Sequence, residues 1–367
     1  MEYCFPDYKN CGLNVVSAVL NHFGIADTHP QHPAVQELLK KKHYKKVVLM
    51  LFDGMGTDIL SKTLPEDAFL RTHMLTEMSA AYPSTTTCAT SSIECCQTPR
   101  EHGWLGWTEY FKEVDKLVDI FINRDQNGEP AAPYDVAETI NPRHMVFDRF
   151  DAVGAKGHCI SRFGTDPIND LTEMRSTLLR LCADDVPRYC YCYWGDPDHT
   201  MHEEGVYDES VFRAVREVND YVESLSRELP DDVLLMVTAD HGLIDSRWVY
   251  VADHPELESM LLRMPSLEPR AAAFYVKPEC MEAFPAAFKK AFGEEHFLLM
   301  TSKEFVEKGY LGDGKDNFKL WDFVGDYMAL AIDPTCIGAK RGDHELKGVH
   351  AGLTRQEMKV PLIVAKK

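Results

Sequence analysis

The sequence predicts a three-layer α/β/α sandwich around a mostly parallel central sheet, because short unbroken apolar runs alternate with helical patterns. The apolar runs lie at 47–52, 189–193, 233–237 and 360–364. Runs of this kind suit parallel strands that are covered on both faces. The clearest helical pattern is 210–229, where apolar residues recur every three or four positions with charges between them. Strands that alternate with helices are typical of helical layers packed on a sheet.

Residues 255–342 have a different pattern. One apolar run at 271–276 precedes a helix-like stretch at 284–292, and Ser302 is the predicted cap of another helix that contains Phe305 and Val306. We therefore expect a small inserted α+β subdomain at 255–342. The predicted catalytic core comprises 1–254 and 343–367.

The composition predicts a folded protein of the cytosol. The chain has 367 residues, of which 45% are hydrophobic, so it can bury a large core. The longest apolar run is six residues at 47–52, and the first residues lack the pattern of a signal peptide, so we expect no membrane span and no export. Eleven cysteines, with Cys95 and Cys96 adjacent, favour reduced thiols over a disulfide framework.

The charge of the chain restricts its partners. Fifty-eight acidic residues against thirty-nine basic ones give a formal net charge of −19. Such a surface repels a nucleic-acid polymer or an anionic membrane, so neither is expected as a partner. If the substrate is an anion, bound metal ions must supply the attraction. The oligomeric state is left open.

Several carboxylates follow the apolar runs directly. In sheets of this class, sites form outside the carboxyl ends of the strands, which is where Asp53, Asp196, Asp198 and Asp240 lie. Within 193–205, Asp198 and His202 are four residues apart, so a first helical turn puts both on one face. The spacing therefore predicts a metal-ligand pair. An acidic helix cap with an exposed histidine is the alternative.

A second metal-ligand pair is predicted at Asp240 and His241. The chain has four Asp-His dipeptides, which begin at residues 198, 240, 253 and 343. Only the pair at 240 follows a buried strand and precedes a glycine, Gly242, which permits a sharp exit. The pair at 253 precedes a proline and indicates a turn, and the pair at 343 lies in a charged stretch that indicates surface.

Two further candidates are single residues among glycines. Asp53 ends the first buried strand before Gly54 and Gly56, which aims a carboxylate out of the sheet, with a helix cap as the alternative. His350 lies among small residues ten positions before the last apolar run, with an exposed loop histidine as the alternative.

A nucleophile is suggested by the hydroxyl-rich stretch 81–89. Pro83 sets a turn, and the small residues that follow can continue as a helix, so a hydroxyl there meets a positive helix N-terminus. A threonine hydroxyl is a weak nucleophile at neutral pH, and a divalent ion can activate it. Ordinary capping is the alternative.

Taken in this order, the motifs resemble those of the alkaline phosphatase superfamily, specifically its nucleotide pyrophosphatase/phosphodiesterase branch, from Lys46 to Val364. The resemblance implies the alkaline phosphatase-like fold, with a cap-like subdomain before the last histidine ligand. It also implies two divalent ions, Zn²⁺ with Mn²⁺ as the alternative. The ligands implied for the first ion are Asp53, Thr86, Asp240 and His241, and those for the second ion are Asp198, His202 and His350.

The resemblance also implies the nucleophile. In that family it stands three residues after the proline, which points here to Thr86, with Thr85 and Thr87 as alternatives. A covalent phosphothreonine would form and then be hydrolysed. The pattern departs from the family at Cys95-Cys96, where related sequences often have Thr-Gly, and at Ala351, where a glycine is common. The asparagine that often holds a phosphate oxygen is missing from the stretch 102–107.

The preferred substrate is a small phosphodiester or pyrophosphate, such as a nucleotide-like molecule. Monoesterases of the superfamily typically have an arginine close behind the nucleophile, and none follows Thr86 closely. The sulfatase motif is also absent. Trp104 and Trp107 are candidates for stacking on a nucleobase, with a place in the core as the alternative. The other functions considered are phosphomonoesterase, phosphomutase or phosphoryl-group transferase on the same site, and a metal-binding protein without turnover.

Overall fold

The computed structural model of the chain describes residues 3–342 and 345–366. Its strands are β1 Lys46–Phe52, β2 Met74–Ser79, β3 Thr108–Phe111, β4 Lys116–Asp119, β5 Arg124–Asp125, β6 Lys156–Ser161, β7 Asp166–Pro167, β8 Arg188–Trp194, β9 Val233–Thr238, β10 Ile244–Asp245, β11 Arg247–Tyr250, β12 Ser266–Glu268, β13 Ala271–Phe274, β14 Phe297–Thr301, β15 Tyr327–Ala331, β16 Thr335–Gly338, β17 Gly348–Val349 and β18 Lys359–Lys366.

Its α-helices are α1 Gly12–His22, α2 Pro33–Lys41, α3 Thr57–Thr63, α4 Phe69–Thr72, α5 Thr86–Cys95, α6 Pro99–His102, α7 Val136–Ile140, α8 Leu171–Cys182, α9 Asp198–Glu204, α10 Glu209–Glu228, α11 Pro255–Glu258, α12 Phe284–Phe292, α13 Ser302–Glu307, α14 Leu320–Phe323 and α15 Arg355–Met358. Short 3₁₀ segments lie at Phe147–Val153, Val251–Asp253 and Pro278–Cys280.

The central sheet has the strand order β2-β18-β9-β1-β8-β6-β7. Strand β1 pairs in parallel with both β8 and β9, and β6 pairs in parallel with β7 and β8. Every residue of β1 and β9 is buried, so the centre of the sheet is covered on both faces. The predicted α/β fold with a mostly parallel central sheet is confirmed.

The direction of β18 differs from the prediction for 360–364, because this strand runs antiparallel to both of its neighbours. Its residues are buried as the apolar run indicated. Burial on both faces does not determine direction, which here follows from the preceding loop. The N–H of Gly242, just past the carboxyl end of β9, donates to the carbonyl of Glu357 at 2.9 Å. The chain therefore enters β18 from that edge and runs back through the sheet.

The longest helix, α10, is amphipathic as the pattern at 210–229 predicted. Its buried side chains include Val211, Val215, Val218 and Val222. Asp208 caps the helix, since its carboxylate accepts the N–H of Ser210 at 2.9 Å. None of the helices within 3–342 and 345–366 has the length and apolar character needed to cross a membrane.

A second sheet has the order β14-β15-β13-β12-β3-β4-β5. Four of its strands lie within the predicted subdomain 255–342, but β3, β4 and β5 come from 108–125, and β12 joins the two groups through Leu267 and Thr108. A subdomain made of 255–342 alone therefore does not contain the whole sheet. The division into that subdomain and a core of 1–254 and 343–367 stays a prediction.

The helices of the second region lie close to where they were predicted. The helix-like stretch at 284–292 is α12. The cap of α13 was predicted one residue late: Thr301 is the cap, and Ser302 is the first helical residue. Thr301 forms a capping box with Glu304, whose N–H donates to the threonine hydroxyl at 3.2 Å.

Candidate active site

Three neighbouring parallel strands, β8, β1 and β9, end at the same edge of the central sheet. Asp53 follows β1, Asp198 begins α9 after β8, and Asp240 follows β9 directly. Backbone hydrogen bonds fix the chain where it leaves β1 and β8. The N–H of Asp53 donates to the carbonyl of Trp194 at 2.9 Å, and the N–H of Asp198 donates to the carbonyl of Asp53 at 3.0 Å. The sheet itself thus brings the three carboxylates together.

The first group at this edge consists of Asp53, Asp240 and His241, all buried, with Thr86 beside it. Nε2 of His241 lies 3.5 Å from Oδ1 of Asp53 and 3.5 Å from Oδ2 of Asp240. The hydroxyl of Thr86 lies 3.3 Å from Oδ2 of Asp53 and 3.2 Å from Nε2 of His241. The structure therefore brings together the four residues predicted around one ion.

The second group consists of Asp198, His202 and His350. One turn of α9 separates Asp198 from His202, whose Nε2 lies 3.1 Å from Oδ2 of that carboxylate. His350 follows β17, and its Nε2 lies 3.9 Å from Oδ1 of Asp198. The predicted ligands of a second ion therefore also meet at one place.

The two groups adjoin each other. The rings of His241 and His350 are stacked with centroids 4.0 Å apart. Gly54 lets the backbone after Asp53 approach Asp198 of the second group. Its φ is +70°, and a Cβ on it would lie 2.9 Å from Cβ of Asp198. Gly242 meets a different requirement, because a Cβ there would lie 2.1 Å from the carbonyl oxygen of Gln356.

The donor atoms of both groups fit divalent cations. Within these two groups, three buried atoms have no hydrogen-bond partner among the described residues, namely Oδ1 of Asp198, Oδ2 of Asp240 and Nδ1 of His350. Nδ1 of His202 lies 2.7 Å from the carbonyl of Gly348, an arrangement that orients a ligating imidazole and leaves Nε2 for a metal.

The pKa values of the site residues also indicate a place for cations. Burial, followed by the charges of Asp240 and Asp198, raises the pKa of Asp53 well above its usual value. Burial alone would lower the pKa of His202, but the Asp198 carboxylate outweighs it and raises this pKa to about 9. Several carboxylates in one buried place repel each other, so the ionised set needs cations for compensation.

Thr86 is the first residue of α5, a ten-residue helix. Thr85, the residue before the helix, does not cap it with its side chain, because its hydroxyl donates to Oε1 of buried Glu268 at 2.7 Å. The hydroxyl of Thr87 is buried and has no hydrogen-bond partner among the described residues. Of the three threonines, Thr86 is the one whose hydroxyl contacts Asp53 and His241.

The two tryptophans predicted to bind substrate differ in exposure. Trp104 is 1% exposed, its indole N–H donates to the carbonyl of Asn141 at 2.8 Å, and the Arg143 guanidinium lies 4.1 Å from its ring centroid. A base cannot stack on this covered ring, so the prediction for Trp104 is wrong and it is a core residue. Trp107 is 40% exposed and stays a candidate.

Among the described residues, the Asp-His pair at 253 belongs to no group of candidate metal ligands. Asp253 pairs with Arg341 at 2.8 Å on the surface, and Asp343 and His344 lie outside the described residues. Asp196 accepts a hydrogen bond from Thr200, and the side chain of His199 is 72% exposed.

Two residues of the site were not predicted. The hydroxyl of Tyr193 donates to Oδ2 of Asp53. Its place as the last tyrosine of the run 189–193 was the available signal, since it lies at the carboxyl end of β8. Glu268 accepts the hydroxyl of Thr85 and the N–H of Trp107, each at 2.7 Å. No pattern in the sequence indicated it, because β12 reaches the site only through the second sheet.

The family model for type I phosphodiesterase / nucleotide pyrophosphatase matches residues 47–293, which is more than half of the chain. The chain belongs to this family. As a member it is a hydrolase of the phosphodiesterase and nucleotide pyrophosphatase type. No curated protein matches its sequence.

Solved structures show the same fold. Murine ectonucleotide pyrophosphatase / phosphodiesterase 5 superposes with a TM-score of 0.67 at 17% identity, covering 86% of this chain and 87% of that chain. An inactive variant of the murine protein, in complex with AMP, superposes at 0.66 and 17% identity, again covering 86% and 87%. The human counterpart gives 0.65 and 14% identity, with 88% and 90% covered.

Proposed function

We propose that this phosphodiesterase-family hydrolase cleaves phosphodiester or pyrophosphate bonds of small nucleotide-like molecules, with Thr86 as nucleophile and two divalent ions as cofactors. The observation that carries the proposal is the position of the Thr86 hydroxyl, 3.3 Å from Oδ2 of Asp53 and 3.2 Å from Nε2 of His241. Carboxylates and an imidazole around a hydroxyl are the surroundings that turn threonine into a nucleophile when metal is bound.

The ligand sets support zinc. Asp53, Asp240 and His241 would hold one ion together with Thr86, and the second group, Asp198, His202 and His350, would hold the other. Mixed carboxylate and imidazole donors are typical of zinc, with manganese as the alternative. When bound, such ions acidify a hydroxyl and neutralise the charge of a phosphoryl group.

The protein's own groups supply the rest of the proposed chemistry. Tyr193 holds the Asp53 carboxylate in place beside the nucleophile. The hydroxyl of Thr85 donates to Glu268 and therefore does not cap the N–H groups at the start of α5. These N–H groups would bind a phosphate oxygen in place of the asparagine that the sequence lacks.

A diester or pyrophosphate fits better than a monoester. The residues after the nucleophile, Thr87, Cys88 and Ala89, supply no positive side chain to bind the second charge of a monoester. The AMP held by the murine neighbour supports a nucleotide-like substrate. The proposed contact for a base is Trp107, which is partly exposed. Its backbone N–H donates to Glu268.

We also propose that the protein works in the cytosol. The eleven cysteines all lie within 3–342 and 345–366, and no disulfide forms there. Reduced thiols are normal for a cytosolic protein.

The test combines metal analysis with a substrate profile. Purified protein is assayed for metal content and for hydrolysis of an aryl nucleotide diester, a dinucleoside pyrophosphate and an aryl phosphate monoester. We expect at least two equivalents of metal per chain, preference for the diester or pyrophosphate, and loss of activity on chelation. Thr86→Ala should abolish turnover while keeping the metal, and Thr86→Ser should retain part of the activity. Full activity in Thr86→Ala, or turnover after complete removal of metal, would contradict the proposal.

A further inference from the structure

A third set of metal-ligating side chains lies away from the active site, where the connection between α1 and α2 meets the end of α5. Asp27 and His29 belong to the connection, and Cys96 is the residue that ends α5. A carboxylate oxygen, a ring nitrogen and the sulfur of these residues all lie within 4.8 Å of one another. Ten residues of helix, about 15 Å, separate Cys96 from Thr86 at the other end of α5.

His29 is oriented for coordination. Its Nε2 lies 2.8 Å from Oε2 of Glu101. Glu101 is itself fixed by a capping box, because the same oxygen accepts the N–H of Thr98 at 2.9 Å and its hydroxyl at 3.1 Å. Nδ1 of His29 is buried, makes no hydrogen bond within the described residues and lies 3.3 Å from Oδ2 of Asp27. A carboxylate behind one ring nitrogen and an open second nitrogen are the arrangement that orients metal-bound histidines.

Cys96 is an unusual residue for its position. Its φ is +52°, in the left-handed region that glycine adopts at helix ends without steric cost. The side chain is nevertheless kept, at 1% exposure, and its Sγ lies 3.6 Å from Oδ2 of Asp27. The thiol packs in the apolar core and also lies 3.7 Å from the carbonyl of Leu13. Its approach to the Asp27 carboxylate is what coordination of one ion by both groups requires.

We propose that Asp27, His29 and Cys96 bind a zinc ion, with Glu101 orienting His29 and a water molecule as the fourth ligand. Thiolate, imidazole and carboxylate together form a donor set that zinc accepts. The site ties the connection between the first two helices to the end of the helix that begins with Thr86. It is separate from the two active-site groups, neither of which contains a cysteine.

Binding has a defined proton balance. The neighbouring carboxylates of Asp27 and Glu101 raise the pKa of His29 to about 9 in the metal-free protein, and burial raises the pKa of the Cys96 thiol. The Arg149 guanidinium also lies beside the set, 4.0 Å from the Asp27 carboxylate. Zinc therefore displaces one proton from His29 and one from Cys96, and both pass to solvent. The competing arrangement is a protonated His29 between two carboxylates.

Cobalt substitution tests the proposal in the whole protein. Native metal is removed and Co²⁺ is added, because a cobalt–thiolate bond gives a charge-transfer band in the near ultraviolet that carboxylate and imidazole ligands do not give. We expect the band in the unaltered protein and in Cys95→Ser, the matched control at the adjacent buried cysteine. We expect it to disappear in Cys96→Gly, which suits the backbone at φ +52°, and zinc content to fall by one equivalent per chain.

Two results would contradict the proposed zinc site. The first is absence of the band in unaltered protein loaded with Co²⁺, which would leave the protonated His29 bridge as the explanation. The second is a band and a zinc content that persist unchanged in Cys96→Gly. Neither result depends on the catalytic role of Thr86, because the readout is a thiolate ligand.

Discussion

The hydroxyl of Tyr193 donates a hydrogen bond to Oδ2 of Asp53, and the same carboxylate oxygen lies 3.3 Å from the hydroxyl of Thr86. Strand register produces this contact, because Tyr193 pairs with Leu51, two residues before Asp53, on the neighbouring parallel strand. The phenol holds one carboxylate oxygen, which leaves Oδ1 to face His241 at 3.5 Å. Tyr193 is therefore a positioning residue for the candidate ligand.

Replacing Tyr193 by phenylalanine tests this role. The ring stays and the hydrogen bond is lost, so we expect kcat/KM or metal affinity to fall about 10- to 100-fold, the usual loss when a partner behind a metal ligand is removed. Metal titration and steady-state kinetics measure both. The control is Tyr191→Phe on the same strand, where the buried hydroxyl has no partner among the described residues. Equal effects of the two changes would contradict the role of Tyr193.

Arg270 and Glu357 form a fully buried bidentate pair, with both contacts at 2.7 Å. Glu357 also accepts the N–H of Gly352 at 2.7 Å, so the pair ties the second sheet to the loop that follows His350. Arg270→Met leaves a buried carboxylate without its cation, and we expect a loss of about 3–5 kcal/mol in the free energy of unfolding.

Denaturant unfolding of the single and double variants measures the coupling within this pair. Adding Glu357→Gln to Arg270→Met removes the stranded charge and should recover part of the loss, which a double-mutant cycle reports. If the two losses simply add, the ion pair does not account for the stability of this junction.

His102 predicts a pH dependence of stability. Its Nδ1 accepts the N–H of Trp104 at 3.0 Å and its Nε2 lies 3.0 Å from the hydroxyl of Ser92, so the folded protein holds it neutral. Burial, followed by the charge of Arg143, lowers its pKa from 6.5 to about 3. Below about pH 6.5, His102 binds a proton in the unfolded chain but not in the folded one. The free energy of unfolding therefore falls as pH falls, by about 1.4 kcal/mol per pH unit.

Denaturant unfolding between about pH 7 and about pH 5 checks this expectation. The unaltered protein should lose about 2 kcal/mol more over this range than His102→Gln, which lacks the group. His199→Gln is the matched control, because that side chain is 72% exposed in the folded protein. The explanation fails if His102→Gln keeps the slope of the unaltered protein.

Much of the fold and the positions of the candidate ligands follow from local sequence signals. Unbroken apolar runs indicate the central strands, and the carboxyl ends of parallel strands share an edge, so Asp53, Asp198 and Asp240 had to lie close together once β1, β8 and β9 were adjacent. The helical spacing of Asp198 and His202 then fixes one further neighbour.

Other features depend on contacts between distant segments, which local patterns do not contain. The antiparallel direction of β18 follows from the loop that contacts Gly242, and the second sheet pairs 108–125 with 266–331. Three-residue spacing placed Trp104 and Trp107 together but did not show which ring was covered. Glu268 was missed for the same reason, since it reaches Thr85 from 183 residues away.

If Thr86 is the nucleophile, it carries the phosphoryl group during turnover, and this adduct can be trapped. Protein mixed with a nucleotide diester is quenched in acid within one turnover, digested and analysed by mass spectrometry. We expect a phosphoryl or nucleotidyl group on Thr86 that is absent after chelation and absent in Thr86→Ala. An adduct on Thr85 or Thr87, or turnover in which no adduct forms at any threonine of this stretch, would contradict it.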